Sequence, residues 1–315
     1  MSLKNDIYRH AVAGGSGSDN TREVARRSAA QFAGWARENG FKAKALFCEP
    51  GVAAKALQAY ADDMVSKGYS PATVHTRLAA PCKALGVGMD AINKPARTSG
   101  AVTRSRGFGN AQGVAEAAKA ENARLVTFQR GVGVRRAELG KLRGRDLVRD
   151  ESGALCVQVI RGKGGKHQLQ RLLPQDEAAV AAIMQERGAD ALVFEPHELA
   201  NKIDLHGMRA EHARAAYDYY ADRLAKEPGY RDQLRAELLA RWDAERPDAR
   251  PAQRKAYAAK LFNDHRLFLR QGGENYAQAL EHGRPTEYDR LAVMAVSVFH
   301  LSHWRTDVTV THYLV

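Results

Sequence analysis

The stretch Gly153-Ala154-Leu155-Cys156-Val157-Gln158-Val159-Ile160, then Arg161-Gly162-Lys163-Gly164-Gly165-Lys166-His167, then Gln168-Leu169-Gln170-Arg171-Leu172-Leu173, decides the fold class. Residues 153–160 and 168–173 are short runs rich in Val, Leu and Ile, and Gly162, Gly164 and Gly165 lie between them. That pattern predicts a β-hairpin. A lysine at such a tip reaches far from the sheet. Neither Lys163 nor Lys166 is followed by Ser or Thr and no helix starts there, so the turn is not a nucleotide phosphate loop.

Outward from the hairpin the chain reads helical. Residues 121–147 predict helices, and 175–312 are mostly helical by pattern. Within the latter, 221–290 is strongly charged and looks like an insertion. One stripe there is Leu234, Leu238 and Trp242; after Pro247 and Pro251 a second is Tyr257, Leu261 and Phe268. The segment is expected to be a helical excursion that carries protein or DNA contacts and no catalytic group. Residues 291–301 are nearly all apolar and predict a buried helix; His300, inside that run, reads as a core histidine. The class expected is mainly α with a small antiparallel β-sheet, an α+β fold.

Toward the N-terminus, residues 1–19 are rich in Gly and Ser around 14–18 and predict a flexible segment. Residues 20–94 predict a small helical domain. Asn20 and Glu23 have capping-box spacing, and Val24, Ser28, Phe32 and Trp35 follow on one face. Ala53, Leu57, Tyr60 and Met64 form a second stripe, and Ser70-Pro71 opens a third helix that Pro81 is expected to kink. Residues 95–113 read as a basic linker, with Arg97, Arg104 and Arg106 among Thr, Ser and Gly. From Arg97 to Asn110 it extends at most roughly 46–50 Å, several times the ~12 Å width of a DNA major groove. Residues 114–315 then form the larger domain.

The 315 residues are 44% hydrophobic, enough for real cores, and carry a formal charge of +12. The span 97–145 alone holds 11 Lys and Arg against 3 Glu. Such an excess points to a polyanionic partner, most often nucleic acid. Cys48, Cys82 and Cys156 are far apart and lack zinc spacing, which fits a reducing cytoplasm. No apolar stretch reaches the roughly 18–20 residues of a membrane span, and the first residues carry no apolar signal region.

Four stretches carry chemistry. Gly133-Val134-Arg135-Arg136-Ala137-Glu138-Leu139 puts Arg135 and Glu138 on one helix face. The second is the lysine-bearing turn. In Asp204-Leu205-His206-Gly207-Met208-Arg209, Asp204 is a plausible cap, and His206 and Arg209 project together, an imidazole beside a permanent cation. The fourth is Leu301-Ser302-His303-Trp304-Arg305, followed by Thr309 and His312-Tyr313. Each alone suits an ordinary surface or core role.

In this order and with these neighbours, the set resembles the tyrosine recombinase (phage integrase) family, and within it bacterial prophage and mobile-element integrases. The likeness covers most of the chain; Ser70-Pro71-Ala72-Thr73-Val74 with its downstream leucines is similar to the family's core-binding domain. The resemblance implies a site-specific recombinase that cuts and rejoins DNA through a 3′-phosphotyrosyl intermediate. Arg135, Arg209 and His303 would hold the phosphate, Tyr313 would be the nucleophile and His206 its base or orienter. Lys163 would be the general acid, and Glu138 would support Arg135. Arg97, Arg104, Arg106, Arg136 and Lys166 are expected to contact DNA. It implies no cofactor and no metal, double-stranded DNA as partner, and a homo-tetramer on paired sites formed from free monomers or dimers. An accessory directionality protein, no membrane, and a bacterial cytoplasmic, nucleoid-associated location complete the expectation. A topoisomerase IB-like relaxase and a non-catalytic regulator on the same fold are the alternatives. The sequence departs from the family where Ser302 replaces a usual glycine, in the 94 positions from Arg209 to His303, and in the two residues after Tyr313, which put the family's C-terminal mode of assembly in question.

Overall fold

The computed structural model describes residues 2–15, 17–97, 112–162, 165, 167–201 and 203–315. The chain forms two units, Met1–Arg104 and Ser105–Val315. The first is helical: α1 (Leu3–Val12), α2 (Asp19–Glu38), α3 (Ala43–Cys48), α4 (Pro50–Ser66) and α5 (Pro71–Ala84).

The flexible start expected over 1–19 is instead mostly α1. Leu3, Ile7 and Ala11 recur every fourth residue, so one side of this short helix is apolar, and it packs on the core of Phe32, Leu57, Met64 and Leu78. Glycine and serine richness nearby hid that stripe. The cap of α2 is Ser18, whose Oγ accepts the Thr21 N–H at 3.3 Å, and Glu23 pairs with Arg27 at 2.8 Å rather than closing a capping box with Asn20. At α5 the Ser70 cap and Pro71 first turn are present, and the helix runs through Pro81 to Ala84.

The second unit opens with α6 (Gln112–Glu121), α7 (Ala123–Val132) and the single turn α8 (Arg136–Leu139). Strands β1 (Leu147–Arg149), β2 (Leu155–Val159) and β3 (Gln168–Arg171) follow in antiparallel order, with Leu147 opposite Val157 and Val157 opposite Gln170. The mainly helical fold with a small antiparallel sheet matches the class expected. β1 replaces the end of the helix predicted through 147. A Cβ on Gly144 would lie 2.5 Å from the Gly188 carbonyl oxygen, so the chain passes too close there for a side chain. Asp146 accepts the Arg143 N–H at 2.8 Å and turns the backbone into the strand.

Helices α9 (Glu177–Gln185), α10 (Pro196–Leu199), α11 (Leu205–Lys226), α12 (Tyr230–Glu245) and α13 (Pro251–Leu261) come next. Then β4 (Leu267–Phe268) and β5 (Glu287–Tyr288) pair around α14 (Glu274–Glu281), before α15 (Arg290–Ala295), a π-helical turn Val296–His300, α16 (Thr306–Thr309) and a last π turn Val310–Leu314. The unit has two cores. Leu125, Phe128, Val157, Phe194 and Met208 build one. Tyr217, Leu234, Leu291, Phe299 and Tyr313 build the other. Helix α11 joins both, Leu205 and Met208 in the first and Ala213 to Tyr220 in the second, so His206 and Arg209 sit where the cores meet.

Residues 221–290 are no excursion. Leu234, Leu238, Leu261, Ala279 and Tyr288 share a core with Phe299 and Tyr313. Arg241, fully buried, reaches Asp150 at 2.7 Å and the Leu169 carbonyl at 3.3 Å, tying α12 to the sheet. Phe268, placed in that apolar stripe by its spacing, lies on β4 and is exposed. Among the described residues no helix is long and apolar enough to cross a membrane.

Candidate active site

Helix α7 ends at Gly133 in the left-handed region (φ 69°), where a Cβ would press on the His212 ring at 3.0 Å. This sharp exit presents two groups: the Gly133 carbonyl and, two residues on, Arg135. Glu138, one turn into α8, accepts the Arg135 N–H at 2.8 Å and its guanidinium at 2.7 Å. Gln168 of β3 closes the triangle, donating to Glu138 at 3.0 Å and accepting from Arg135 at 3.1 Å. Burial raises the Glu138 carboxyl, but the Arg135 N–H and guanidinium outweigh it and hold the group below the usual carboxylate range.

Asp204 caps α11, accepting the Gly207 N–H at 2.9 Å, as its position predicts. His206 stays exposed and Arg209 is enclosed, 1% exposed. Arg209 donates to the carbonyls of Gly133 and, at 2.9 Å, Leu301. Gln170, its amide oriented by surrounding donors and acceptors, donates to the Val132 carbonyl and accepts from Arg209 at 3.2 Å. Among the described residues no carboxylate forms an ion pair with Arg209. Burial, and then the like charge of Arg135, lower its pKa, while the nearby Tyr313 hydroxyl favours the cation. Its Nε is buried without a partner.

The rings of His206 and His303 lie 5.6 and 5.9 Å from that of Tyr313, and the Arg209 guanidinium carbon is 5.6 Å from the same ring. Tyr313 is 7% exposed, held in the last π turn, its carbonyl accepting from Arg214 at 3.1 Å. His303 Nδ1 accepts the Arg305 N–H at 3.2 Å, so the neutral ring carries its proton on Nε2, and that atom is buried with no partner. Burial, then Arg209, Arg135 and Arg305, push the His303 pKa down to about 4, so it is a neutral donor at pH 7.

His303 stands between two non-glycine residues with positive φ, Ser302 at 49° and Trp304 at 58°. Each conformation costs roughly 1–2 kcal/mol. The turn is held by Ser302 Oγ donating to the Leu169 carbonyl at 3.1 Å and by the His303 N–H donating to the Ser297 carbonyl at 3.1 Å. Ser302→Gly relieves the strain and loses a hydrogen bond of about 1 kcal/mol, so its stability should stay within about 1 kcal/mol of wild type. Ser302→Val keeps the strain, adds β-branching and loses the bond, and should fall about 2 kcal/mol or more below Ser302→Gly in urea unfolding. Equal stabilities would show that the turn is unstrained.

Arg135, Glu138, His206, Arg209, His303 and Tyr313 are thus brought together. Arg136, half-buried, donates to the carbonyls of Leu199 at 2.8 Å and Ile203 at 2.6 Å, closing the loop before α11. Arg97 is exposed in the first unit, and Arg104, Arg106, Lys163 and Lys166 lie outside the described residues. Sequence reasoning missed Gln168 and Gln170, both buried. Their signal was the strand Gln-Leu-Gln-Arg, which puts two amides on one face. His300 is in the core as expected, between His212 at 3.0 Å and the Tyr220 hydroxyl at 3.1 Å. Among the described residues no group of three or more His, Cys, Asp or Glu could hold a metal ion.

No protein-family model and no curated protein matches the chain. Among solved structures, the crystal structure of XerA recombinase is similar over 67% of this chain and 84% of that chain, at 18% identity and a TM-score of 0.25. A likeness at that TM-score bears on neither the site nor its chemistry.

Proposed function

We propose that the chain cuts and rejoins duplex DNA by transesterification, as a site-specific recombinase. One observation carries this reading: Arg209 is a buried cation that has no paired carboxylate among the described residues, and its guanidinium lies 5.6 Å from the ring of Tyr313. A buried charge without a counter-ion is costly unless it serves an anion. The partnerless Arg209 Nε and His303 Nε2 are further donors on side chains beside the same tyrosine ring, and Arg135 adds a second cation. A phosphodiester supplies the charge and the acceptor oxygens these donors need.

In the reaction proposed, Tyr313 Oη attacks phosphorus, the bond to the 5′ oxygen breaks, and a 3′-phosphotyrosyl ester forms. Arg135, Arg209 and the His303 Nε2–H hold the non-bridging oxygens as charge builds. A phenol needs help to lose its proton near neutral pH, and the His206 ring beside it is the candidate acceptor or orienter. Lys163 protonates the leaving 5′ oxygen. Attack by a second strand's 5′-hydroxyl reverses the step. The ester conserves the energy of the broken bond, so resealing requires no nucleotide. Four subunits on paired sites would exchange the strands.

The test is covalent trapping. A randomised duplex library with staggered nicks is incubated with protein, denatured, and adducts are recovered and sequenced. An adduct enriched for one sequence is expected; its absence across the library overturns the reading. Lys163→Ala should cleave the selected site on the order of 10²–10⁴-fold more slowly, as loss of a general acid does. It should recover when the 5′ leaving atom is sulfur, because a thiolate leaves without a proton. No recovery moves the acid role to another residue.

A further inference from the structure

The strained turn that carries His303 is gripped from α12 and α13. The Trp304 indole N–H donates to Glu245 at 2.7 Å. The Arg246 guanidinium lies over the Trp304 ring at 4.1 Å, and Tyr257 meets that ring edge-on at 5.6 Å. Trp242 stacks on Tyr257 at 5.5 Å from the other side. Glu245 and Arg246 are at the end of α12, and Tyr257 is on α13. Trp304 is only half-buried; it packs on the edge of the core that holds Phe299 and Tyr313, and these contacts hold it from the side.

We propose that α12 and α13 are a clamp that positions His303, with Trp304 as its handle and Glu245 and Arg246 as its jaws. Two independent features point this way. Positive φ on both sides of His303 means that the turn relaxes when it is not restrained from outside. The hydrogen bond and the ring contacts on the Trp304 indole come from Glu245, Arg246 and Tyr257. Releasing the indole frees Trp304 to return to an ordinary backbone region, while Ser302 Oγ still donates to the Leu169 carbonyl. The His303 ring then swings, and its Nε2–H leaves the neighbourhood of Tyr313. Trp304, Glu245 and Arg246 are positioning residues; none of them touches the reacting atoms. The kinetic part of this inference rests on the DNA-cleavage reading; the structural part does not.

Four variants test it: Glu245→Ala, Glu245→Gln, Trp304→Phe and Trp304→Ala. Trp304→Phe keeps an aromatic ring but loses the N–H together with the five-membered part of the indole, and Glu245→Gln keeps an acceptor of the same size. The first readout uses free protein: the His303 Cε1–H resonance followed against pH, assigned with His303→Gln. In wild type the ring stays neutral down to about pH 4, because of burial and the facing cations Arg209, Arg135 and Arg305, with Asp307 acting the other way. In Glu245→Ala and Trp304→Ala the midpoint should rise toward the ordinary value near 6.5 as the ring reaches water. Glu245→Gln should stay near wild type. The second readout is adduct formation at saturating selected DNA. Glu245→Ala and Trp304→Phe should slow it about 10- to 100-fold, as small misplacements of a reacting group do, with DNA affinity unchanged and with Glu245→Gln recovering most of the rate. An unmoved His303 midpoint in folded Glu245→Ala and Trp304→Ala overturns the clamp, whatever the rates. Wild-type rates in those variants overturn it too. A shifted midpoint in a protein that forms no adduct leaves the clamp standing and sinks the cleavage reading instead.

Discussion

Tyr313→Phe should abolish covalent capture of DNA, a loss on the order of 10⁴-fold or more, as removal of a nucleophile gives in other covalent enzymes, while the protein still folds and binds. The ring is 7% exposed and packs beside His206, His303 and Arg209, and phenylalanine keeps that area. Only the hydroxyl, which favours the Arg209 cation, is lost. One such polar group contributes about 1 kcal/mol, and the variant should unfold in urea within that margin of wild type. Retained DNA affinity with no band on a denaturing gel is the expected pair of results. An adduct that persists in the variant, or a mapped adduct peptide containing Tyr288, would overturn the assignment. Tyr288 is 1% exposed on β5, its ring set edge-on to Tyr217 at 5.3 Å, so its hydroxyl cannot reach a phosphate without unfolding the core.

Asp150→Ala should lower the stability of the larger unit by about 3–5 kcal/mol, the range for breaking a buried ion pair by removing one partner. The Asp150 side chain is fully enclosed and accepts from two arginines, Arg171 on β3 and Arg241 on α12, the latter at 2.7 Å. Its other oxygen accepts from the Ser152 N–H at 3.0 Å and Ser152 Oγ at 2.7 Å. Glu237 still pairs with Arg171 at 2.6 Å in the variant, but Arg241 is left with Glu151 at 3.2 Å, a side chain 39% exposed. Burial raises the Asp150 carboxyl, but the Arg171 cation, Ser152 and Arg241 together carry it below its ordinary value. Its folded pKa is therefore depressed. The stabilisation is present above the unfolded value near 3.9 and is lost as pH falls through the lower folded value. Urea unfolding should show the full gap between wild type and variant at pH 7 and a narrowing gap below about pH 4. A gap under about 1 kcal/mol at pH 7 would mean that the network is not what joins α12 to the sheet.

The chemistry-bearing residues were legible in the sequence because chemistry restricts residue type. Only an arginine, an imidazole or a phenol can do what Arg209, His303 and Tyr313 are proposed to do, and their order along the chain carried the reading. The two short runs 153–160 and 168–173, rich in Val, Leu and Ile with a glycine turn between them, announced a hairpin in a helical chain. Helix α1 escaped notice because three apolar residues in a polar setting are weak evidence until a partner face exists. Tertiary structure alone decided the rest. Gln168 and Gln170 became supports for Arg135 and Arg209 only when β3 paired with β2 in one register. Arg136 looked the equal of Arg135 until a passing loop took up its donors. The positive φ of Ser302 and Trp304 is visible in no composition, because strain is imposed by contacts from elsewhere. Residues 221–290 read as a detachable excursion because a charged amphipathic helix looks the same whether its arginines face water or a buried carboxylate. Asp150 lies 91 positions from Arg241, and a local pattern holds no information across that distance.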